Sequence, residues 1–216
     1  MIRGVIFDLD GVLVATDEAH YQAWKQLADE EGIPFDRAIN ERLKGVGRMD
    51  SLNIILERSP RAYSEEEKRA LADRKNADYR VQLAKLTPAD MLPGARELVA
   101  ALRGRGVKIA VASSSRNTPL ILERLGLQDA FDAVADGNDI SHSKPHPEVF
   151  LVAAERLGLP PDECVVVEDA PAGIEAARRA GMAVFGIGTP DRLPDTPRLA
   201  AGLDRVTADE LMAGDK

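Results

Sequence analysis

The chain of 216 residues has room for one domain and a modest second one. Its 44% hydrophobic and 30% charged residues describe a globular protein and exclude the disordered and disulfide-scaffold classes. The formal net charge of −8 disfavours a binder of the nucleic-acid backbone, but a small phosphorylated ligand remains open if positive charge is concentrated locally.

The start of the chain and its single cysteine predict a cytoplasmic protein with no membrane partner. The first apolar stretch is interrupted at Asp8, too early for the apolar segment of a signal peptide. No run approaches the roughly 20 apolar residues that span a bilayer. Cys164 begins the apolar run 164–167, so we expect a buried side chain and no intrachain disulfide.

Short apolar runs predict the buried strands of a parallel sheet. They cover residues 5–7, 107–112, 131–135, 164–167 and 183–187. Amphipathic segments that end at glycine predict helices between the later strands. These helices cover residues 95–105, 119–125, 147–157 and 172–180. The alternation predicts an α/β fold, a doubly wound, mainly parallel sheet of Rossmann type with right-handed crossovers.

Residues 16–87 interrupt this alternation with an all-helical pattern. Apolar spacing predicts four helices, one that begins after Thr16 and three that cover residues 36–43, 50–57 and 64–83. Proline and glycine at positions 88, 93 and 94 mark the return of the chain to the sheet. We therefore predict an α/β core of residues 1–15 and 88–216 with an inserted helical cap of residues 16–87.

Three predicted strands end in polar residues. These are Asp8 with Asp10, the serines at 113–115, and Glu168 with Asp169. The carboxyl ends of parallel strands share one edge of a sheet, so these side chains should converge on one crevice. A strand-end carboxylate can also simply cap the next helix, but three clusters at one edge favour a ligand site.

The grouping of carboxylates predicts a divalent cation. Alternation along a strand puts the side chains of Asp8 and Asp10 on one side, and Glu168 with Asp169 adds further negative charge. An oxygen-only donor set suits Mg²⁺. With Lys144 as a donor for phosphate oxygens, these residues predict Mg²⁺-dependent phosphoryl transfer with one aspartate as the nucleophile.

Four motifs resemble those of the haloacid dehalogenase (HAD) superfamily of phosphotransferases. They are FDLDGV at 7–12, Ser113 at a strand end, Lys144-Pro145, and Glu168-Asp169, and they span nearly the whole chain in the expected order. The resemblance implies a Rossmann-like core with an inserted cap. Within the superfamily, residues 20–24, 43–52, 74–79 and 113–117 are similar to the β-phosphoglucomutases.

This resemblance implies an isomerase that interconverts β-D-glucose 1-phosphate and glucose 6-phosphate. The reaction would pass through an aspartyl phosphate and use β-D-glucose 1,6-bisphosphate as the priming intermediate. Asp8 would be the nucleophile and Asp10 the general acid and base. Ser113 and Lys144 would bind the transferring phosphoryl group.

The resemblance also implies metal and substrate ligands. Asp8, Asp169 and the backbone carbonyl of Asp10 would hold Mg²⁺, with Glu168 a ligand or a partner of a ligand. Arg48 would grip the non-reacting phosphate, because its guanidinium matches phosphate geometry. The full set of implied substrate-binding residues is His20, Trp24, Gly45, Val46, Arg48, Ser51, Lys75, Ser114, Ser115, Arg116 and Asn117.

Several residues have alternative interpretations. His20 and Trp24 can instead be core residues, and Arg48 and Arg116 ordinary surface charges. Asn117 can serve as a helix N-cap. Ala15 departs from the family pattern, because an Asp is expected at this position. A contact that locks the cap in its closed position could therefore be missing.

His142 and His146 are spaced like a helical metal pair, but the neighbouring prolines predict solvated loop residues instead.

A sugar-phosphate phosphatase, in which water discharges the aspartyl phosphate, is the main alternative function. A non-catalytic sugar-phosphate sensor is a remote one. We expect a monomer that acts on a small sugar phosphate and binds no nucleic acid.

Overall fold

A parallel sheet lies at the centre of the computed structural model, which describes residues 1–213. Its strands are β1 (Gly4–Phe7), β2 (Lys108–Ala112), β3 (Ala133–Ala135), β4 (Cys164–Glu168), β5 (Ala183–Ile187) and β6 (Leu199–Ala200). Their order is β3-β2-β1-β4-β5-β6, and every pairing is parallel. The chain therefore builds the sheet outward from β1 in two directions, which confirms the predicted Rossmann-like fold.

The first eight helices follow the predicted order along the chain, and the ninth was not predicted. They are α1 (Asp17–Glu30), α2 (Arg37–Glu41), α3 (Arg48–Leu56), α4 (Glu65–Leu83), α5 (Ala95–Gly104), α6 (Thr118–Leu125), α7 (Glu148–Leu157), α8 (Pro171–Arg179) and α9 (Ala208–Met212). Short 3₁₀ helices cover Pro88–Asp90, Pro161–Glu163 and Leu203–Arg205. Within residues 1–213, none of the helices combines the length and the apolar character needed to cross a membrane.

Helices cover both faces of the sheet. Val5 and Phe7 of β1 belong to the apolar layer that includes residues of α5, α6 and α9, and Ile6 belongs to the layer formed with α7 and α8. Since both faces are buried, each central strand needs apolar residues at successive positions. This explains why the central strands appear in the sequence as continuous apolar runs.

Helices α1 to α4 pack around an apolar cluster of their own. Its members include Trp24, Leu27, Ile39, Leu52 and Leu71. A capping box is present at the start of α4, where Ser64 and Glu67 exchange side-chain to backbone hydrogen bonds. We call residues 16–87 the cap and the remainder the core. This division stays a prediction, and residues 214–216 of the predicted core lie outside the described residues.

Two segments connect the cap to the core, and they lie side by side. Val14 of the first segment forms an antiparallel bridge with Met91 of the second. The backbone N–H of Leu92 donates to the carbonyl of Leu13 at 2.9 Å. The first segment continues directly from β1, so the cap is attached at the edge of the sheet where the predicted site lies.

Candidate active site

A cavity of about 540 Å³ lies between the cap and the carboxyl edge of the sheet. Of the predicted site residues, those that line it are Asp8, Asp10, His20, Trp24, Gly45, Val46, Arg48, Ser51, Lys75, Ser113, Ser114, Ser115, Arg116, Asn117 and Asp169. The other two, Lys144 and Glu168, are 1% and 0% exposed. Lys144 donates a hydrogen bond to Asp8 and another to Glu168. The structure therefore brings core and cap candidates to one place.

The strand ends position the core residues of this cavity. Asp8 follows β1, and its backbone N–H donates to the carbonyl of Val167 at 2.9 Å. Ser113 follows β2, and its N–H donates to the carbonyl of Ala135 at 3.1 Å. The sheet hydrogen bonding thus extends one residue beyond each strand and fixes where these side chains begin.

Lys144 lies at the centre of the buried charges. Its Nζ donates to Asp8 Oδ1, to Glu168 Oε1 at 2.8 Å and to the carbonyl of Ala112 at 3.2 Å. An ammonium has three protons, and these three acceptors account for all of them. Although burial lowers the pKa of Lys144, the charges of Asp8 and Glu168 raise it by more, so the ammonium stays charged.

The carboxylates beside Lys144 carry more negative charge than its single positive charge can balance. Burial raises the pKa of Asp8 well above its ordinary value, and Lys144 offsets this only in part. Burial, with the charge of Glu168, raises the pKa of Asp169 to about 8. Carboxylate oxygens of Asp8, Glu168 and Asp169 lie within 4.8 Å of one another. The raised pKa values of Asp8 and Asp169 therefore favour their protonated forms unless further positive charge is supplied.

This donor set fits a magnesium ion. Carboxylate oxygens are the ligands that Mg²⁺ prefers, and a dication would balance the excess negative charge. Both oxygens of Glu168 already accept hydrogen bonds, one from Lys144 and one from the N–H of Ala170 at 2.7 Å. The Asp10 carboxylate is bound by the Thr16 hydroxyl, and the contribution of its backbone carbonyl to a metal site stays a prediction.

Two glycines leave space for the acidic cluster. A Cβ at Gly173 would lie 1.7 Å from Oε1 of Glu168. At Gly11, where φ is +87°, a Cβ would lie 2.4 Å from Oδ2 of Asp169. The backbone of α8 and of the loop after Asp10 therefore packs directly against the carboxylates, which only glycine permits.

Gly173→Ala is expected to lower the free energy of unfolding by about 3 kcal/mol, the upper part of the usual range for overpacking. Glu168 is buried and hydrogen-bonded at both oxygens, so its side chain has no room to move aside. Urea unfolding measures the change. The matched control is Gly104→Ala, also in a helix, where a Cβ meets nothing within 4 Å. Equal stability of the two variants would contradict the steric argument.

Asp10 is joined to the first residue of the cap. The Thr16 hydroxyl donates to Asp10 Oδ1, and Thr16 is the N-cap position of α1. Burial raises the pKa of Asp10 to about 6, and the hydrogen bond from Thr16 offsets part of this effect. A carboxyl group that titrates near neutral pH can both donate and accept a proton.

His20 and Lys75 meet on neighbouring cap helices. Lys75 Nζ lies 3.0 Å from His20 Nδ1, and it also lies 4.6 Å from the ring centroid of Trp24 and 4.5 Å from that of Tyr79. Burial, with the nearby charge of Arg48, lowers the pKa of Lys75 to about 7. Burial also lowers the pKa of His20 well below its ordinary value, so this imidazole is neutral. Both side chains line the cavity.

Arginines form a second group of charges at the cavity. Burial lowers the pKa of Arg48, and the positive charge of Arg116 lowers it further. An Arg48 guanidinium nitrogen lies 3.8 Å from a carboxylate oxygen of Asp73, while Arg116 Nε donates to the carbonyl of Gly137 at 3.1 Å. Both arginines line the cavity, so it contains positive charge that an anionic group could balance.

Core and cap also meet through contacts that the sequence analysis did not foresee. Asn117 is the N-cap residue of α6, but its side chain makes no capping bond and donates to Asn76 Oδ1 at 2.9 Å. Ser114 Oγ donates to the carbonyl of Gly45 at 3.1 Å. Asn76 and Tyr79 both line the cavity without having been assigned a role. The position of Tyr79, four residues after Lys75 on α4, is the signal that could have found it.

Known proteins share this fold and its motifs. Residues 2–181 match the haloacid dehalogenase-like hydrolase family. The chain is 47% identical to a β-phosphoglucomutase of Bacillus subtilis over 189 residues, which are 87% of this chain and 84% of that protein. A phosphorylated carbohydrates phosphatase of Thermotoga maritima is 31% identical over 198 residues, with 86% and 85% covered.

A solved structure shows the same similarity in three dimensions. The β-phosphoglucomutase of Clostridium difficile matches with a TM-score of 0.94 at 38% identity, and the match covers 99% of this chain and 96% of that one. The similarity thus includes the helical cap as well as the sheet. The chain belongs to the haloacid dehalogenase-like hydrolase family.

Proposed function

We propose that the protein is a β-phosphoglucomutase, which interconverts β-D-glucose 1-phosphate and glucose 6-phosphate through β-D-glucose 1,6-bisphosphate. The observation that carries this proposal is that cations lie at two places around the cavity. Lys144 is buried behind the cavity wall and contacts Asp8, whereas Arg48 and Arg116 line the cavity itself. A bisphosphate that reacts at one end needs a second grip for the other phosphate.

Asp8 is the proposed nucleophile. Its carboxylate oxygen forms a bond to phosphorus while the bond from phosphorus to the sugar oxygen breaks, which leaves an aspartyl phosphate. Lys144 holds the attacking carboxylate and balances negative charge in the transition state. Ser113 Oγ accepts the N–H of Ser115 at 3.1 Å, so its own proton can donate to a phosphoryl oxygen.

Asp10 is the proposed general acid and base. In one half-reaction it gives its proton to the departing sugar oxygen, and in the other it takes the proton of the attacking hydroxyl. The pKa of about 6 populates both protonation states near neutral pH. The cap contact to Thr16 sets the orientation of this carboxyl group.

Magnesium is the proposed cofactor. Asp8 and Asp169 would hold it with the Asp10 carbonyl, and Glu168 would be a ligand or would orient one. When bound, it supplies charge that stabilises the phosphoryl oxygens. The priming bisphosphate is part of the same proposal.

The cap supplies the proposed grip on the sugar phosphate and excludes water. Arg48, with Arg116, Ser115 and Asn117 of the core, would bind the non-reacting phosphate. The contact of Ser114 with Gly45 holds the cap against the core beside the cavity. Exclusion of water protects the aspartyl phosphate, and this protection separates a mutase from a phosphatase.

One reaction mixture tests the function. β-D-glucose 1-phosphate is supplied with Mg²⁺ and a trace of the 1,6-bisphosphate, and glucose 6-phosphate and free phosphate are measured together. We expect glucose 6-phosphate with little free phosphate. Stoichiometric free phosphate would identify a phosphatase. If neither product forms, the substrate is a different sugar phosphate or the protein is a non-catalytic sensor.

Arg48→Ala is expected to lower the kcat/KM for mutase turnover about 100-fold, since a charge-assisted hydrogen bond contributes about 1.5–3 kcal/mol. Hydrolysis of the aspartyl phosphate by water should change less, because water carries no second phosphate. Coupled assays of both products measure the two rates. Arg58→Ala is the matched control, since Arg58 is an exposed cap arginine that does not line the cavity. Undiminished mutase turnover in Arg48→Ala would remove Arg48 from this role.

Three expectations rest on the sequence alone. The cytoplasmic location, the monomeric state and the absence of a nucleic-acid partner stay predictions. A small sugar phosphate as the substrate follows from the proposed reaction.

A further inference from the structure

A cluster of metal-ligating side chains lies outside the proposed active site. His142 and His146 belong to the segment between β3 and α7, and Glu148 is the first residue of α7. The two imidazole rings are 4.7 Å apart, and one ligand atom from each of the three residues lies within 4.8 Å of the others. The prolines do prevent a helix at the two histidines, as predicted, but the loop brings the rings together by another route.

The distances from Glu148 to the two histidines are close to those between ligands of a tetrahedral zinc ion. Oε2 of Glu148 lies 3.1 Å from Nδ1 of His142 and 3.7 Å from Nδ1 of His146. Zn²⁺ bonds nitrogen and oxygen at about 2.0–2.2 Å, so neighbouring ligand atoms of a tetrahedral site lie about 3.3–3.5 Å apart. These two separations lie within a few tenths of an ångström of the tetrahedral values. Nδ1 of His146 also accepts the backbone N–H of Glu148 at 3.3 Å, so a bound ion would replace that hydrogen bond.

Backbone hydrogen bonds hold the glutamate in place. Oε1 of Glu148 accepts the N–H of Ser141 at 3.0 Å, and Oε2 accepts the N–H of His142 at 2.9 Å. A ligand oriented by such bonds loses less conformational freedom when it binds a metal. The carboxylate can therefore serve as the fixed member of the set.

The cluster is open to solvent. The side chains of His142, His146 and Glu148 are 68%, 49% and 26% exposed. An ion can enter directly, and a water molecule can complete its coordination. Two imidazoles and one carboxylate suit zinc and its neighbours in the transition series, whereas the acidic cluster at Asp8 offers only oxygen, which suits magnesium.

We propose that His142, His146 and Glu148 form a second metal site, which binds a transition-metal ion of the zinc class. The ligands flank Lys144 on both sides along the chain, and Lys144 contacts Asp8. A bound ion therefore fixes the loop that presents Lys144 to the acidic cluster.

Calorimetric titration of the full chain with Zn²⁺ tests the site, in the presence of excess Mg²⁺ at the acidic cluster. We expect saturable binding of one Zn²⁺ per chain at the histidine site and a Tm that rises with the Zn²⁺ concentration. His142→Ala and His146→Ala should each weaken this binding about 100-fold or more, because even the loss of a hydrogen-bond partner of a ligand costs about 10–100-fold. Glu148→Gln keeps an acceptor for one backbone N–H and should still weaken binding.

Two controls distinguish the location of the ion. Asp169→Asn alters only the acidic cluster, so binding at the histidine site should persist. Imidazole NMR signals give a second readout. The chain has three histidines, and the third, His20, lines the cavity between cap and core. Zn²⁺ should shift the signals of His142 and His146 but not that of His20. Absence of saturable binding, or Zn²⁺ binding that survives both histidine variants and disappears in Asp169→Asn, would overturn the proposal.

Discussion

Asp8→Asn is expected to lower mutase turnover by about 10⁶-fold, the size of loss seen when a covalent nucleophile is removed. The amide has nearly the shape of the carboxylate but cannot attack phosphorus. Lys144 keeps Glu168 and the carbonyl of Ala112 as acceptors, so the site should still assemble. The rate of glucose 6-phosphate formation measures the loss of turnover. Trapping of acid-stable labelled phosphate on the protein measures whether the phosphoenzyme still forms.

The control for this variant is Asp129→Asn, because Asp129 is an exposed aspartate that belongs to none of the motifs and does not line the cavity. It should keep full turnover and label normally. Cooperative unfolding of Asp8→Asn shows that the fold is intact. Turnover within ten-fold of the unaltered protein, or labelled phosphate on Asp8→Asn, would show that another group is the nucleophile.

Lys144→Met is expected to have the largest effect on stability. It removes the cation that contacts both Asp8 and Glu168, and two carboxylates then remain buried without it. Removal of one partner from a buried ion pair costs about 3–5 kcal/mol. For a chain of this size, the Tm should fall by roughly 10 °C. Thermal unfolding in the presence of a chelator measures this effect without a contribution from magnesium.

The loss in Lys144→Met should depend on pH. Without the lysine charge, the pKa of Asp8 in the folded state rises further above its value in the unfolded chain. A carboxyl group with a raised folded pKa destabilises the fold once the pH exceeds the unfolded pKa, so the deficit should be larger at pH 8 than at pH 5. Lys108→Met is the control, because the Lys108 side chain is 55% exposed. Equal stability of both variants at pH 8 would contradict a role for Lys144 in balancing the cluster.

Much of the core could be predicted because its signals are local. The central strands are buried on both faces, so their apolar runs stand out, and the polar residues that follow them must share one edge. The last strand and last helix, β6 and α9, were not predicted. Leu199–Ala200 and Ala208–Met212 are too short to carry a periodic pattern.

The cap contacts were harder to predict because they depend on how helices pack. The sequence does not show that α1 lies against α4, which brings His20 to Lys75. The hydrogen bond between Thr16 and Asp10 likewise depends on the path of the chain between β1 and α1. The meeting of His142 and His146 was missed for a related reason, since a loop has no periodicity that fixes which side chains face each other.

The paired segments between cap and core restrict how the cap can move. Because Val14 is bridged to Met91 and Leu13 is hydrogen-bonded to Leu92, the two connections behave as one ordered strip. We expect a cap held by such a strip to move mainly by rotation about it, so its closure should order few additional backbone torsions and cost little conformational entropy. Thr16 lies just beyond this hinge, and we expect the rotation that opens the cavity to stretch its hydrogen bond to Asp10 in the same movement.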